Sequence, residues 1–257
     1  MFKSLNKLLE EESVIIIPNS FYGRLKPAVF QRRLHRFAAE VETEKGIEVV
    51  HLPNSGRLRE LLIAGNQVGL NFEGHPGRKT RYTLVKVKAE AGWVFIDTRL
   101  PNRILAKHWR QLPPLRTYTD AHPERTWGAS RFDLALQGGE PPETAWLEAK
   151  CVTLVQDGIA LFPDAPTERG RKHLLELTRI KEGGGRSFVF FFLQHPGGEY
   201  IKAHREMDPR FAEAMATAAS AGVEFHGYRV LPGEDRVVLT AVPVSTSDER
   251  KRVSALE

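Results

Sequence analysis

The sequence predicts a two-domain α+β protein, a small N-terminal β-barrel followed by a mixed sheet covered by helices. Three observations predict it. The 257 residues exceed what most single cores use and suit one large domain or two modest ones. Residues 29–100 read as short strands separated by turns. From residue 130 onward strands alternate with helical periods, and "SFVFFFLQ" at 187–194 is wholly apolar, as in a strand buried on both faces.

Taken in order, residues 1–12 have Phe2, Leu5, Leu8 and Leu9 at the spacing of a short amphipathic helix. "VIIIP" reads as a strand that stops at Pro18. "AVFQRRLHRFAAEVETEKGIEVVHLP" reads as two strands joined at Glu44-Lys45-Gly46, where Gly46 supplies positive φ. A short helix is expected over "SGRLRELL", then strands at "AGNQVGLNF", "TRYTLVKVKA" and "GWVFIDT". About five short strands and one small helix suit a barrel of the oligonucleotide/oligosaccharide-binding (OB) type. Residues 102–112 read as a helix ended by Pro113-Pro114. The domains are accordingly expected at 14–103 and 104–245. In the second, strands at 130–137 and 145–155 precede a helix over 167–181. Thr167 is its N-cap and Gly183-Gly184-Gly185 its end. The apolar strand, a helix over 208–221 and the strand "VEFHGYRV" follow.

Composition narrows the function. Hydrophobic content of 41% and charged content of 27% are those of a folded globular chain. The formal charge of +5 fits a polyanionic partner without establishing one. The single cysteine, Cys151, allows no internal disulfide and no cysteine-based zinc site, which fits a reducing compartment. No apolar run is long enough to span a membrane, and the N-terminus lacks a secretory pattern, so a cytoplasmic protein is expected. Phosphate loops, dinucleotide fingerprints, H-E-x-x-H and G-x-S-x-G are all missing from the sequence.

The chemistry concentrates in "ASRFDLALQGGEPPETAWLEAKCVTLV". Residues two apart on a strand share a face, so Glu148 and Lys150 point the same way. If the preceding strand pairs antiparallel, Asp133 sits beside them. Two neighbouring carboxylates raise one another's pKa unless a cation joins them, and Mg²⁺ or Mn²⁺ accepts such oxygens. Lys150 would then serve the attacking water or a phosphate. The D-x(14)-E-x-K spacing resembles the PD-(D/E)xK nuclease superfamily. The alternative is a structural salt bridge between Glu148 and Lys150. Glu124 is a candidate third metal acid, or a solvated loop residue. Arg131, on the Asp133 face, could hold that carboxylate or a substrate phosphate. Arg169, Lys172 and His173 are candidate phosphate ligands, because cations in a helix's first turns suggest an external anion. Lys172 could instead pair with Glu176. In the barrel, Arg32, Arg33, Arg36 and Arg57 could track phosphates while Phe30 and Phe37 stack on bases. Both aromatics could equally be core.

With these residues identified, the chain resembles the bacterial and archaeal sugar fermentation stimulation protein family. The likeness rests on "HLPNSGRL", "DTRLPNRI", "GASRFDLAL", "LEAKCVTL" and "FPDAPTERGRKHLLEL", in that order between Gly23 and Val230. Ser55 stands where the family usually has threonine. The resemblance implies an OB-type barrel joined to a PD-(D/E)xK-like domain, a DNA partner, and a link to sugar (maltose) utilisation. It carries no firm catalytic activity. Two readings follow: a DNA-binding protein with a Mg²⁺-dependent nuclease site at Asp133, Glu148 and Lys150, or a non-catalytic DNA-binding regulator of sugar metabolism genes. A carbohydrate-binding barrel is a third.

Overall fold

The computed structural model describes residues 14–139 and 143–247. The helix expected over residues 1–12 lies outside them. The chain runs through β1 (Val14–Pro18), β2 (Lys26–His35), β3 (Ala38–Thr43), β4 (Gly46–His51), β5 (Gln67–Phe72), β6 (Tyr82–Ala89) and β7 (Gly92–Phe95). Helix α1 (Leu100–His108) and two 3₁₀ turns lead to β8 (Tyr118–Trp127), β9 (Ser130–Gly138), β10 (Glu143–Val152), β11 (Leu154–Gln156) and β12 (Ile159–Phe162). Then come α2 (Glu168–Glu182), β13 (Arg186–Leu193), β14 (Tyr200–Ala203) and α3 (Pro209–Ser220). Strands β15 (Glu224–Pro232), β16 (Arg236–Val242) and β17 (Val244–Ser245) end the described chain.

Strands β2–β7 form one sheet, ordered β4-β3-β2-β5-β6-β7 and closed into a barrel by the parallel pair His51↔Thr83. Phe30, Val41, Leu52, Leu70, Leu84 and Ile96 fill it. Two expectations change here. The chain turns at Arg36-Phe37, so the first stretch makes three strands rather than two. Arg33 donates to the carbonyls of His35 and Arg36, which holds that turn. No helix forms over residues 55–62. Leu58 takes a left-handed backbone, and its carbonyl accepts the N–H groups of Leu61 and Leu62 in turns that bury Leu58 and Leu61.

The second unit is a seven-stranded mixed sheet, ordered β1-β16-β15-β13-β10-β9-β8. Strand β10 is antiparallel to β9 and parallel to β13. The N-terminal strand β1 pairs with β16. The first residues of the expected barrel range therefore belong to this sheet, and Val14 opens the second unit's edge rather than the barrel. Helix α1 buries Leu100, Ile104 and Leu105 on one face, with Phe188, Phe190 and Phe192. On the other face α2 and α3 pack Leu174, Leu177, Phe211 and Met215 against Val189 and Phe191. Period-two alternation thus sends successive phenylalanines of β13 into two different cores. Thr167 caps α2 by accepting the Gly170 N–H at 3.1 Å. Asp208 caps α3 and also accepts the Thr167 N–H at 2.8 Å, which ties the two helix starts together. No helix among the described residues is long and apolar enough to cross a membrane.

Candidate metal and nucleic-acid site

The β9–β10 ladder runs in register to Leu147↔Leu134 and stops one step before Asp133 and Glu148. On the other side, the β8–β9 ladder skips from Pro123↔Leu134 to Arg125↔Phe132. Asp133 therefore sits at a break between both neighbours. Phe132 packs with the α2 core and Leu134 with the α1 core, although they are two residues apart. The pleat is interrupted there. That releases the Asp133 carboxylate to reach β10, where Oδ2 accepts the Ala149 N–H at 2.8 Å. Its Oδ1 accepts from Asn102 Nδ2 at 2.6 Å.

Glu148 and Lys150 share a face, as their spacing requires. Lys150 Nζ donates to Glu148 Oε1 at 2.6 Å. His173, from the second turn of α2, brings Nδ1 to 2.5 Å from the same oxygen, close enough for an ion pair but outside hydrogen-bond alignment. Phe132 flanks the imidazole at 5.5 Å and itself packs against Trp146 at 5.8 Å. Glu148 is 4% exposed, and its Oε2 has no protein partner.

The two acids are driven apart electrostatically. Burial, then the Glu148 charge, pushes Asp133 up to about 6, against the opposing pull of the Ala149 N–H, Lys150 and Asn102. Burial also acts to raise Glu148, but Lys150 and His173 outweigh it and hold that carboxylate below its usual range. This is the pattern of one acid short of a positive neighbour. Asp133 and Glu148 would hold a divalent cation through hard oxygen donors, and such an ion would supply that charge. The residues present fit such an ion.

Other expected site residues fall elsewhere. Glu124 adopts a left-handed backbone and pairs with Arg131 at 3.7 Å, both largely exposed. By register Glu124 stands opposite Asp133 on β8, with its carboxylate in solvent beside Arg131. Among the described residues no group of three or more His, Cys, Asp or Glu is gathered to hold an ion. His173 is 3% exposed and turned onto Glu148, so it is no phosphate ligand. Arg169 is exposed in the first turn of α2. Lys172 is exposed and donates to Ala129 O at 2.7 Å, not to Glu176, which is buried.

In the barrel, Arg32 forms a two-bond pair with Glu40 at 2.6 and 2.9 Å. Arg33 spends its guanidinium on five main-chain carbonyls, including those of Asn54, Gly56 and Arg57. It is a structural residue. Arg36 and Arg57 remain exposed. Phe30 is core, while Phe37 is 47% exposed. Burial pushes the Cys151 thiol up, and Gln194 Nε2 lies 3.2 Å from its sulfur. A thiol so placed stays protonated and serves as a small buried side chain.

Sequence reasoning missed two features. One is Asn102, within "DTRLPNRI", whose block was legible but whose role was not. The other is the junction of the domains. Gly56 N–H is held by Asn54 Oδ1 at 2.7 Å, and Arg57 N–H donates to Asp164 Oδ2 at 3.1 Å. Two sequence blocks far apart, "HLPNSGRL" and "FPDAPTERGRKHLLEL", thus meet just ahead of α2.

Residues 32–96 match the family described as the SfsA N-terminal OB domain, and residues 99–235 the sugar fermentation stimulation protein RE domain. The chain belongs to this family. A sugar fermentation stimulation protein homolog of Alkaliphilus metalliredigens is 42% identical over 82% of this chain and 91% of the relative. One of Clostridium tetani is 39% identical over 84% and 94%. The solved structure of Pyrococcus furiosus SfsA in complex with Ca²⁺ covers 86% of this chain and 96% of its own, with a TM-score of 0.78 and 29% identity. The barrel and the mixed α/β sheet expected from the sequence are the family's two domains.

Proposed function

We propose that this protein binds DNA and hydrolyses phosphodiester bonds with a divalent cation, Mg²⁺ or Mn²⁺, at Asp133 and Glu148. One observation carries the reading: a buried carboxylate oxygen, Glu148 Oε2, has no protein partner beside a second carboxylate whose ionisation is disfavoured. A buried anionic oxygen left unpaired is costly, and a cation removes the cost. The family relative solved with Ca²⁺ supports a hard divalent ion. When bound, the ion would polarise a phosphoryl oxygen and lower the pKa of a coordinated water.

This chain's own groups do the rest. Lys150 donates one N–H to Glu148 Oε1 and keeps two for the attacking water or the scissile phosphate. The ion pair also holds Glu148 in place, so the salt-bridge alternative and the catalytic reading are one arrangement. Arg169 and Lys172 on α2, Arg131 on β9, and Arg36 and Arg57 of the barrel form the exposed cationic set for the backbone phosphates.

The second reading is a non-catalytic DNA-binding regulator of sugar metabolism genes. The exposed cations Arg36, Arg57, Arg169 and Lys172 serve this reading without any ion. Incubating the purified protein with single- and double-stranded DNA decides between them, using Mg²⁺, Mn²⁺ or chelator. Cleavage that needs the ion and is lost in Lys150→Met supports hydrolysis. Salt-sensitive binding with no cleavage under any ion supports the regulator.

A further inference from the structure

We infer that Asn102 is a positioning residue for the cation site, aiming Asp133 from the helix that joins the two domains. The inference rests on the proposed cation site and adds to it the means by which one of its acids is held.

Asn102 lies in the first turn of α1. Its side chain makes no cap for that helix; the N-cap is Arg99, which has no side-chain capping bond, and a proline occupies the turn. An asparagine in a helix is unfavourable by propensity, because its amide competes with the backbone. The amide is used elsewhere: Nδ2 donates to Asp133 Oδ1 at 2.6 Å. A carboxylate can only accept, so this fixes the amide's orientation and leaves its own Oδ1 facing outward.

The base from which Asn102 reaches is rigid. Asp97 is fully buried and accepts from the Arg99 N–H at 3.0 Å, from Arg99 Nε and Nη2 at 2.8 Å each, and from Tyr22 Oη at 3.2 Å. Its carbonyl accepts the Leu100 N–H at 3.1 Å. Thr98 Oγ1 donates to Pro53 O in the barrel at 2.7 Å, and Gln194, at the end of β13, donates to Phe95 O at 2.9 Å. Leu100, Ile104 and Leu105 then anchor the helix in the core. Asp133 itself lies one step past the last rung of the β9–β10 ladder, so on that side its carboxylate rather than its main chain makes the link to β10, through the Ala149 N–H. Only Ala149 N–H and Asn102 Nδ2 bond its two oxygens among the described residues. The bond from Asn102 therefore ties the second oxygen of this acid to the rigid domain junction, where the first is tied to β10. Groups that orient metal-binding carboxylates from outside typically change ion affinity by about 10–100-fold when removed.

Calorimetric titration of the full chain with Mn²⁺ tests this, alongside Tm in chelator. Asn102→Leu keeps the size and removes the donor; Asn102→Gln keeps an amide. Asn102→Leu is expected to weaken Mn²⁺ by about tenfold or more while the chain still unfolds cooperatively in chelator, with Asn102→Gln recovering most of the loss. Wild-type Mn²⁺ affinity in Asn102→Leu overturns the inference and leaves the cation site standing. So does a loss confined to KM for DNA, which would make Asn102 a substrate contact. No Mn²⁺ binding by the wild-type chain overturns both.

Discussion

Replacing Asp133 by asparagine should stabilise the cation-free protein at neutral pH while abolishing the ion site. The Asp133 carboxyl is raised from 3.8 to about 6, chiefly by burial and then by Glu148. At about 1.4 kcal/mol per pH unit, that rise is worth about 3 kcal/mol. A group whose folded pKa is raised contributes stability that is complete below the unfolded pKa and lost as pH rises through the folded one. The wild-type chain thus loses this contribution between pH 4 and pH 6 and lacks it at pH 7. Asparagine retains an oxygen for the Ala149 N–H and places an amide opposite Asn102, whose own amide can turn to accept from it. Both hydrogen bonds survive and only the charge goes. Urea unfolding in chelator should therefore find Asp133→Asn the more stable protein at pH 7, by at most about 3 kcal/mol. The gap should close as pH falls to 4. Adding Mn²⁺ should reverse the order, because only the wild-type chain gains binding energy. If Asp133→Asn is the less stable protein in chelator at pH 7 and the difference is flat with pH, the account of this acid is wrong.

Further outcomes follow from the same geometry. Mn²⁺ affinity of the wild-type chain should drop about tenfold for each pH unit below 6, because the ion must displace the Asp133 proton; calorimetry at pH 5 and 7 checks it. His173→Phe should weaken Mn²⁺ but leave the salt slope of DNA binding unchanged, since a buried imidazole meets no phosphate. Arg169→Ala should lower that slope by about one instead. Arg33→Met removes five bonds to carbonyls and should cost about 3 kcal/mol in denaturant unfolding. Gly56→Ala sets a Cβ against the Asp164 carboxylate; it should turn that side chain away from the Arg57 N–H and cost about 1 kcal/mol in denaturant unfolding.

How far the sequence reached is clearest at Glu148 and Lys150. The pleat alternates regardless of surroundings, so an E-x-K on a strand has one local geometry, and the 2.6 Å contact follows from it. The same locality made Thr167 readable as a cap, and the apolar run at 187–194 readable as a doubly buried strand. Edge strands were harder. β8 carries "YTDAHPERTW", with exposed residues at most positions, and no apolar period marks it. The residues 55–62 have a helical spacing of leucines, but the barrel wanted Leu58 and Leu61 inside, and tertiary burial overrode propensity.

By itself, then, the chain determined a barrel followed by an α/β sheet, and put an acid and an amine on one face of a central strand. These depend on neighbours within a few positions. Only the tertiary structure decided which charges serve function. It broke the ladder at Asp133, turned His173 inward, drew Asn102 across from the connecting helix, and used Arg33 to hold carbonyls. A charge's role is set by the groups within about 4 Å of it, and for each of these residues those groups come from distant parts of the chain.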